Sequence, residues 1–258
     1  PTLGNKHPNA LAVPTNILWA EIWDDIKDRL ATVYGTGQAT WDRALLLLLE
    51  RGGYPEETYH TFSYSPLIGD SGKVEGVFCA VTEETERVIS ERRMGTMRTL
   101  ASGLAAADTK QEVLDASHQA LRDNFYDLPF SALYLFDEEG RARRQWASGT
   151  ENGHDLLPPD IDSTHNVWNL ESVEACQAPE LVDLIGTPDV PRGVWQKAPL
   201  QAAVIPLAGQ GSGKATGILI AGLNPHRAVS DEYLDFFKLI AGQISSRLAS
   251  AEAFETER

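Results

Sequence analysis

Several groups of residues in this chain carry the side chains that chemistry needs, and spacing decides what each group can do. AGQGSGKA at 208–215 has the glycines and lysine of a phosphate-cradling loop. Such a loop needs glycine at its first position and a Ser or Thr hydroxyl after the lysine, for backbone amides and magnesium respectively. Ala208 and Ala215 stand at those positions, and the flanking stretches read as two strands rather than strand then helix, so a hairpin turn is expected. His118 in DASHQALRD is followed by Gln119, without the neighbouring acid that would activate an imidazole as phosphoacceptor, and is read as an ordinary helix residue. His154, Asp155 and His165 share one loop without the short fixed spacing of metal ligands, so no metal is expected there. Tyr134, Trp146, Trp168 and Trp195 are the candidate ligand-binding residues. Aromatic rings around a concave site are a usual way to hold a planar molecule, and plain core packing is the competing reading. No catalytic residue is assigned and no cofactor is named.

The two cysteines lie 97 positions apart, at 79 and 176. That is neither a disulfide framework nor a zinc pattern and fits a reducing cytoplasm. Cys79, in the middle of VFCAV, reads as core packing, and Cys176 as a plain thiol. A formal net charge of −15 over 258 residues argues against nucleic acid as a partner. The longest apolar run, Ala44 to Leu49, is far short of a membrane span. The chain starts at Pro1 and stops inside a helix-like pattern, which suggests a fragment of a longer protein.

The element that must position everything else runs from 83 to 107. Thr85, Glu86 and Glu91 mark its start, Val88, Met97, Leu100 and Leu104 fall on one side, and charges fill the other faces up to Arg98. This predicts a rod between two domains. Before it, Ile17 to Tyr34 reads as a helix capped by Thr15 or Asn16 and ended by Gly35 and Gly37. Three strands are expected at 40–50, 57–66 and 74–81, the second with His60, Phe62 and Tyr64 on one face and Tyr59, Thr61 and Ser63 on the other. After the rod, Asp108 or Thr109 caps a helix through Asn124. Strands follow at 131–137 and 141–149, then a long irregular region at 150–199 with a short strand at 181–185. Two clear strands, 201–208 and 215–223, lead into a C-terminal helix from 229 onward. Leu234, Phe237, Ile240, Ile244 and Leu248 approach a heptad seam on that helix and predict a homodimer through the helices.

Two resemblances follow from these stretches. WAEIWDDI (19–26), TGQATW (36–41), LLLERGGYPEETYHTFSYSPL (47–67) and GKVEGVFCAVTEETER (72–87) resemble the later part of a PAS domain. The resemblance implies that the first PAS strands lie before Leu3. It also implies an Asp-Ile-Thr coupling contact at the exit, where this chain offers Glu83 or Glu84 in place of the Asp. The stretch QAAVIPLAGQGSGKATGILIAGLNPHRAVSDEYLDFFKLIAGQISSRLASAEAFETER resembles GAF domains that precede histidine-kinase dimerisation helices. Some bilin-binding relatives place a chromophore thiol near the position of Cys176, but Gln177 stands where histidine often follows it.

The expected fold is therefore α+β: a PAS-like domain at 1–82 without its first strands, a connecting helix at 83–107, and a GAF domain at 108–250 with an output helix at 230–258. The implied function is the sensory region of a cytoplasmic two-component hybrid sensor histidine kinase. The fragment itself is non-catalytic and has room for a small-molecule ligand. The alternatives are the sensory region of a phosphatase or cyclic-nucleotide enzyme, or a self-contained small-molecule-binding GAF protein. A methionine-sulfoxide reductase would need reactive cysteines close together.

Overall fold

The computed structural model describes residues 2–151, 153–161, 167–168, 170, 178–209 and 214–256. The chain divides into two compact units, Pro1–Glu91 and Arg92–Arg258.

In the first unit, α1 (Thr15–Leu18) and α2 (Trp23–Thr36) precede β1 (Thr40–Glu50), β2 (Pro55–Ile68) and β3 (Val74–Glu83). The three strands form an antiparallel meander in that order. The single helix expected over 17–34 is broken. Trp19 leaves helical geometry at φ −115°, ψ 38°, and a short 3-10 turn separates the two pieces. Neither Thr15 nor Asn16 caps a helix with its side chain; α1 follows Pro14, and α2 starts after Ile22 without a side-chain cap. The far end behaves as expected: Gly37 at φ +69° donates its N–H to the Val33 carbonyl. Leu47 and Leu49 of the leucine run join Ile22, Ile26, Val33, Phe62 and Tyr64 in one apolar cluster. Between Asp42 and Leu45 the β1–β2 register shifts, with Ala44 at φ +46°. β3 corrects one reading. Cys79 is exposed rather than packed in a core, because β3 pairs only with β2 and faces outward along most of its length.

The rod is one continuous helix, α3 (Thr85–Ala106), whose first residues belong to the first unit and whose remainder, from Arg92, belongs to the second. α4 (Lys110–Arg122) opens with a capping box made by Thr109 and Glu112. Then come β4 (Ser131–Phe136), β5 (Ala142–Ser148), β6 (Asp160–Ile161), β7 (Glu180–Asp183), β8 (Gln201–Ala208), β9 (Ala215–Gly222) and α5 (Asp231–Thr256). The six strands form an antiparallel sheet in the order β6-β5-β4-β9-β8-β7. β4, β8 and β9 are apolar on both faces because both are covered. Leu133, Leu135, Ile205 and Leu219 meet the helices, while Ala132, Tyr134, Val204 and Ile218 meet the region between β5 and β8. Gly222 lies so close to the Phe130 ring that a Cβ there would come within 2.4 Å of it.

α5 corrects a second reading. Phe237, Ile240, Ile244 and Leu248 are buried in the second unit's own core, against the sheet and α4, so they are not a free seam for another copy. Packing on a sheet and packing in a coiled coil ask for the same three-and-four spacing. Ile240→Ala should therefore destabilise the isolated chain by about 2–5 kcal/mol in urea unfolding, independently of protein concentration. Leu239→Ala, one residue along on the exposed side, should stay within about 0.5 kcal/mol of the parent when both are unfolded as monomers at low concentration.

Candidate functional site

α3 is held by side chains of two separate sets, one in each unit. In the first unit, the Thr85 hydroxyl accepts the Tyr59 N–H at 3.0 Å and donates to a Glu83 carboxylate oxygen at 3.0 Å. Arg51 donates to both Glu83 oxygens at 2.9 and 3.0 Å and also pairs with Glu56. Burial pushes the Glu83 carboxyl up, but the Thr85 hydroxyl and the Arg51 charge outweigh it, and the net shift is downward. Glu84 has a different role. It accepts from the Thr61 hydroxyl at 2.7 Å and from Arg87 at 2.9 Å, while Thr61 takes the N–H of the strained Ala44 at 2.9 Å. Of the two acids offered at the strand exit, Glu83 is the one joined to both Arg51 and Thr85.

In the second unit, the partner is Asp127, whose side chain is fully buried. Arg92 donates to both carboxylate oxygens, at 2.8 and 2.9 Å, in the bidentate geometry that suits guanidinium. Arg93 reaches one of the same oxygens at 3.3 Å, and the Asn124 amide donates to the other at 3.2 Å. Burial raises the Asp127 pKa most, yet Arg92, Arg93 and Asn124 together bring it below the ordinary carboxylate value. The Asp127 carbonyl accepts the Tyr233 hydroxyl of α5 at 2.6 Å, and that hydroxyl accepts the Asn224 N–H at 3.1 Å. Arg93 lies over the Tyr233 ring at 4.3 Å and Arg92 over Tyr126 at 5.1 Å. One loop residue thus fixes α3 and the first turn of α5.

The four candidate aromatic residues do not surround one space. Tyr134 and Trp168 share a cluster on one face of the six-stranded sheet; Tyr134 donates to the Pro158 carbonyl at 2.8 Å and Trp168 to the Leu156 carbonyl at 3.0 Å. Trp146 lies on the opposite, helical face, donating to Ser117 at 3.0 Å and stacked on His118 at 5.2 Å. Trp195 stands beside Tyr126 and His226 and donates to the Tyr126 carbonyl at 3.0 Å, next to the Asp127 group. Each polar ring atom is taken by a neighbour, and the sheet stands between Trp146 and Tyr134. His154 is equally engaged. Its Nδ1 accepts the Leu156 N–H at 3.2 Å, which leaves Nε2 as the donor to the Asp189 carbonyl at 2.8 Å. His165, Cys176 and the centre of the glycine-rich turn lie outside the described residues. That turn's flanks are neighbouring antiparallel strands, closed by Gly209 N–H to the Lys214 carbonyl at 3.0 Å.

Arg92, Arg93, Asp127 and Tyr233 escaped the sequence reading, which counted both arginines on the polar side of the rod. The available signal was the doublet itself, two adjacent guanidiniums on a helix with few apolar residues.

No family model and no curated protein matches this chain. Solved structures similar to it include GAF domains. The GAF domain of an Acinetobacter phosphoenolpyruvate-protein phosphotransferase is 16% identical, covers 64% of this chain and 97% of its own, and has a TM-score of 0.47. The phycoerythrobilin-bound GAF domain of a cyanobacterial phytochrome is 13% identical over 64% of this chain and 99% of its own, with a TM-score of 0.47. Free methionine-R-sulfoxide reductase from Neisseria meningitidis is 17% identical over 64% and 92%, with a TM-score of 0.46. Similarity at this level says nothing of what this chain binds. No described helix is long and apolar enough to cross a membrane.

Asp127→Asn should cost about 3 kcal/mol at pH 7, because it leaves two largely buried guanidiniums without their counter-charge. The folded pKa of Asp127 is depressed, so its contribution is present above the unfolded value near 3.9 and is lost as pH falls through the folded value. Urea unfolding at several pH values should show a constant gap between parent and variant from pH 6 to 8, narrowing below about pH 4.

Proposed function

We propose that this chain is a non-catalytic sensory segment, PAS-like then GAF-like, of a cytoplasmic two-component sensor histidine kinase. In this reading a small molecule or protein partner biases one unit, α3 changes its rotation or register, and α5 passes the change to an output domain. A switch of this kind needs an element that both states can hold and that binding can bias. The observation that carries the reading is the treatment of α3: one unbroken helix, tied through Thr85 and Glu83 in the first unit and through Arg92 and Arg93 in the second. The order of elements in the second unit, helix, two strands, long connection, two strands, exit helix, also agrees with the GAF resemblance.

Homodimerisation belongs to the same proposal. With Ile240 and Ile244 turned inward, the surface of α5 left for a second copy is the outward side with Leu239, Gly242 and Ser246, which with Ala101 and Ala105 forms a groove.

The coupling test is hydrogen exchange on the intact chain. Glu83→Ala removes the Arg51 and Thr85 contacts in the first unit only. Amides 96–106 and 124–130 of the second unit should then exchange faster, and insertion of two glycines after Met94 should abolish that response. Unchanged exchange in the second unit would contradict a transmitting α3. Light scattering at tens of micromolar tests the second copy: the parent should be a dimer and Leu239→Glu a monomer, while a monomeric parent removes dimerisation from the reading.

A further inference from the structure

The first unit contains a cavity of about 90 Å³ between its helix and its sheet, bordered by Trp19, Ile22, Ile26, Leu47, Leu49 and Phe62. His60 of β2 also borders it and is 2% exposed. The hydrogen bonds of Thr58 fix the tautomer of this histidine. The Thr58 hydroxyl donates its only proton to the Leu47 carbonyl at 2.7 Å. Toward the His60 Nδ1, 3.4 Å away, it can then only accept, so Nδ1 carries the imidazole proton. Nε2 is left as a bare acceptor. It is buried, has no hydrogen-bond partner, and is turned away from Thr58 by its position across the ring. An unsatisfied buried acceptor is destabilising.

We propose that this cavity is a binding site for a small, largely apolar molecule, no larger than one ring, that donates a single O–H or N–H hydrogen bond to His60 Nε2. The lining selects that chemistry. Water alone fits poorly. The volume has room for roughly three molecules at bulk density, but a buried water needs two to four polar partners. Besides His60 the walls are largely aliphatic and aromatic; the Trp19 indole N–H, Tyr64, Cys79 and Thr2 supply the remaining polar side-chain atoms. A ligand with an apolar body and one donor satisfies Nε2 and fills the apolar walls together. Cationic donors are disfavoured by those walls, and acceptor-only ligands would set lone pair against lone pair. Burial holds the imidazole pKa below its ordinary value and Arg51 adds to the effect against Glu83, so the ring is neutral at pH 7. The site stands apart from the helix reading, since a ligand can bind here whether or not α3 transmits anything.

The test uses phenol as probe and anisole as its counterpart, which has a similar ring and oxygen but no donor. Long-range proton–nitrogen spectra of the histidine-labelled chain should show a protonated Nδ1 and a bare Nε2 at His60 without ligand. Phenol should move the Nε2 resonance with saturable dependence, and anisole should bind about tenfold more weakly. His60→Phe should bind the two equally. If that variant does not fold, the spectra and the phenol–anisole ratio on the parent still decide. An Nε2-protonated ring in the free protein, equal affinity for phenol and anisole on the parent, or no saturable binding of phenol at millimolar concentration would each overturn the proposal.

Discussion

A carboxylate removed from water is expensive to hold, and Asp127 is held by having almost every lone pair answered. Two guanidiniums and an amide meet its oxygens, while its own carbonyl takes the hydroxyl of Tyr233. Removing any one of these leaves the rest poorly compensated, because desolvation is already complete. The consequence is geometric. The side chain fixes the azimuth of α3 at Arg92 and Arg93, and the carbonyl fixes the entry of α5 at Tyr233. The core of the second unit, with Leu100 and Leu104 on one helix and Phe237 and Ile240 on the other, packs in the arrangement this residue permits.

The tie in the first unit is built from the same kinds of atoms and is physically weaker. Glu83 retains 31% of its side-chain exposure, against none for Asp127. Solvent screens the Glu83–Arg51 pair and leaves it the modest value of a surface ion pair, whereas the Asp127 group is strongly cooperative. The hydrogen bond from Tyr59 N–H to the Thr85 hydroxyl is buried and gives this end its direction rather than its strength. Of its two anchors, α3 therefore has a soft one in the first unit and a hard one in the second.

What could be read from the sequence was what depends on local periodicity. β1 appears with the expected bounds, α3 within two residues of each expected end, and the inward face of α5 at the expected positions. What depends on pairing across distance was not legible. Arg92 and Asp127 are 35 positions apart, and a charge on a helix reads as solvent-facing until its partner is known. The placement of the four aromatic rings was not legible for a related reason. Trp146 pairs with Leu133, and the register then shifts before Tyr134, so the face of each ring depends on a bulge that strand alternation does not announce. The α5 seam was misassigned because its spacing is common to two kinds of packing.

Isolated, a polar helix of the length of α3 would be marginal in water, and its apolar positions are too sparse to bury a continuous stripe. Its persistence as one helix therefore rests on tertiary anchors. Those anchors are polar and directional at Thr85, Arg92 and Arg93, and apolar at Ile89, Leu100 and Leu104. One apolar residue near the start of α3, Ile89, is also buried, ahead of Met97, Leu100 and Leu104 in the second core, so a turn about the axis would have to expose it.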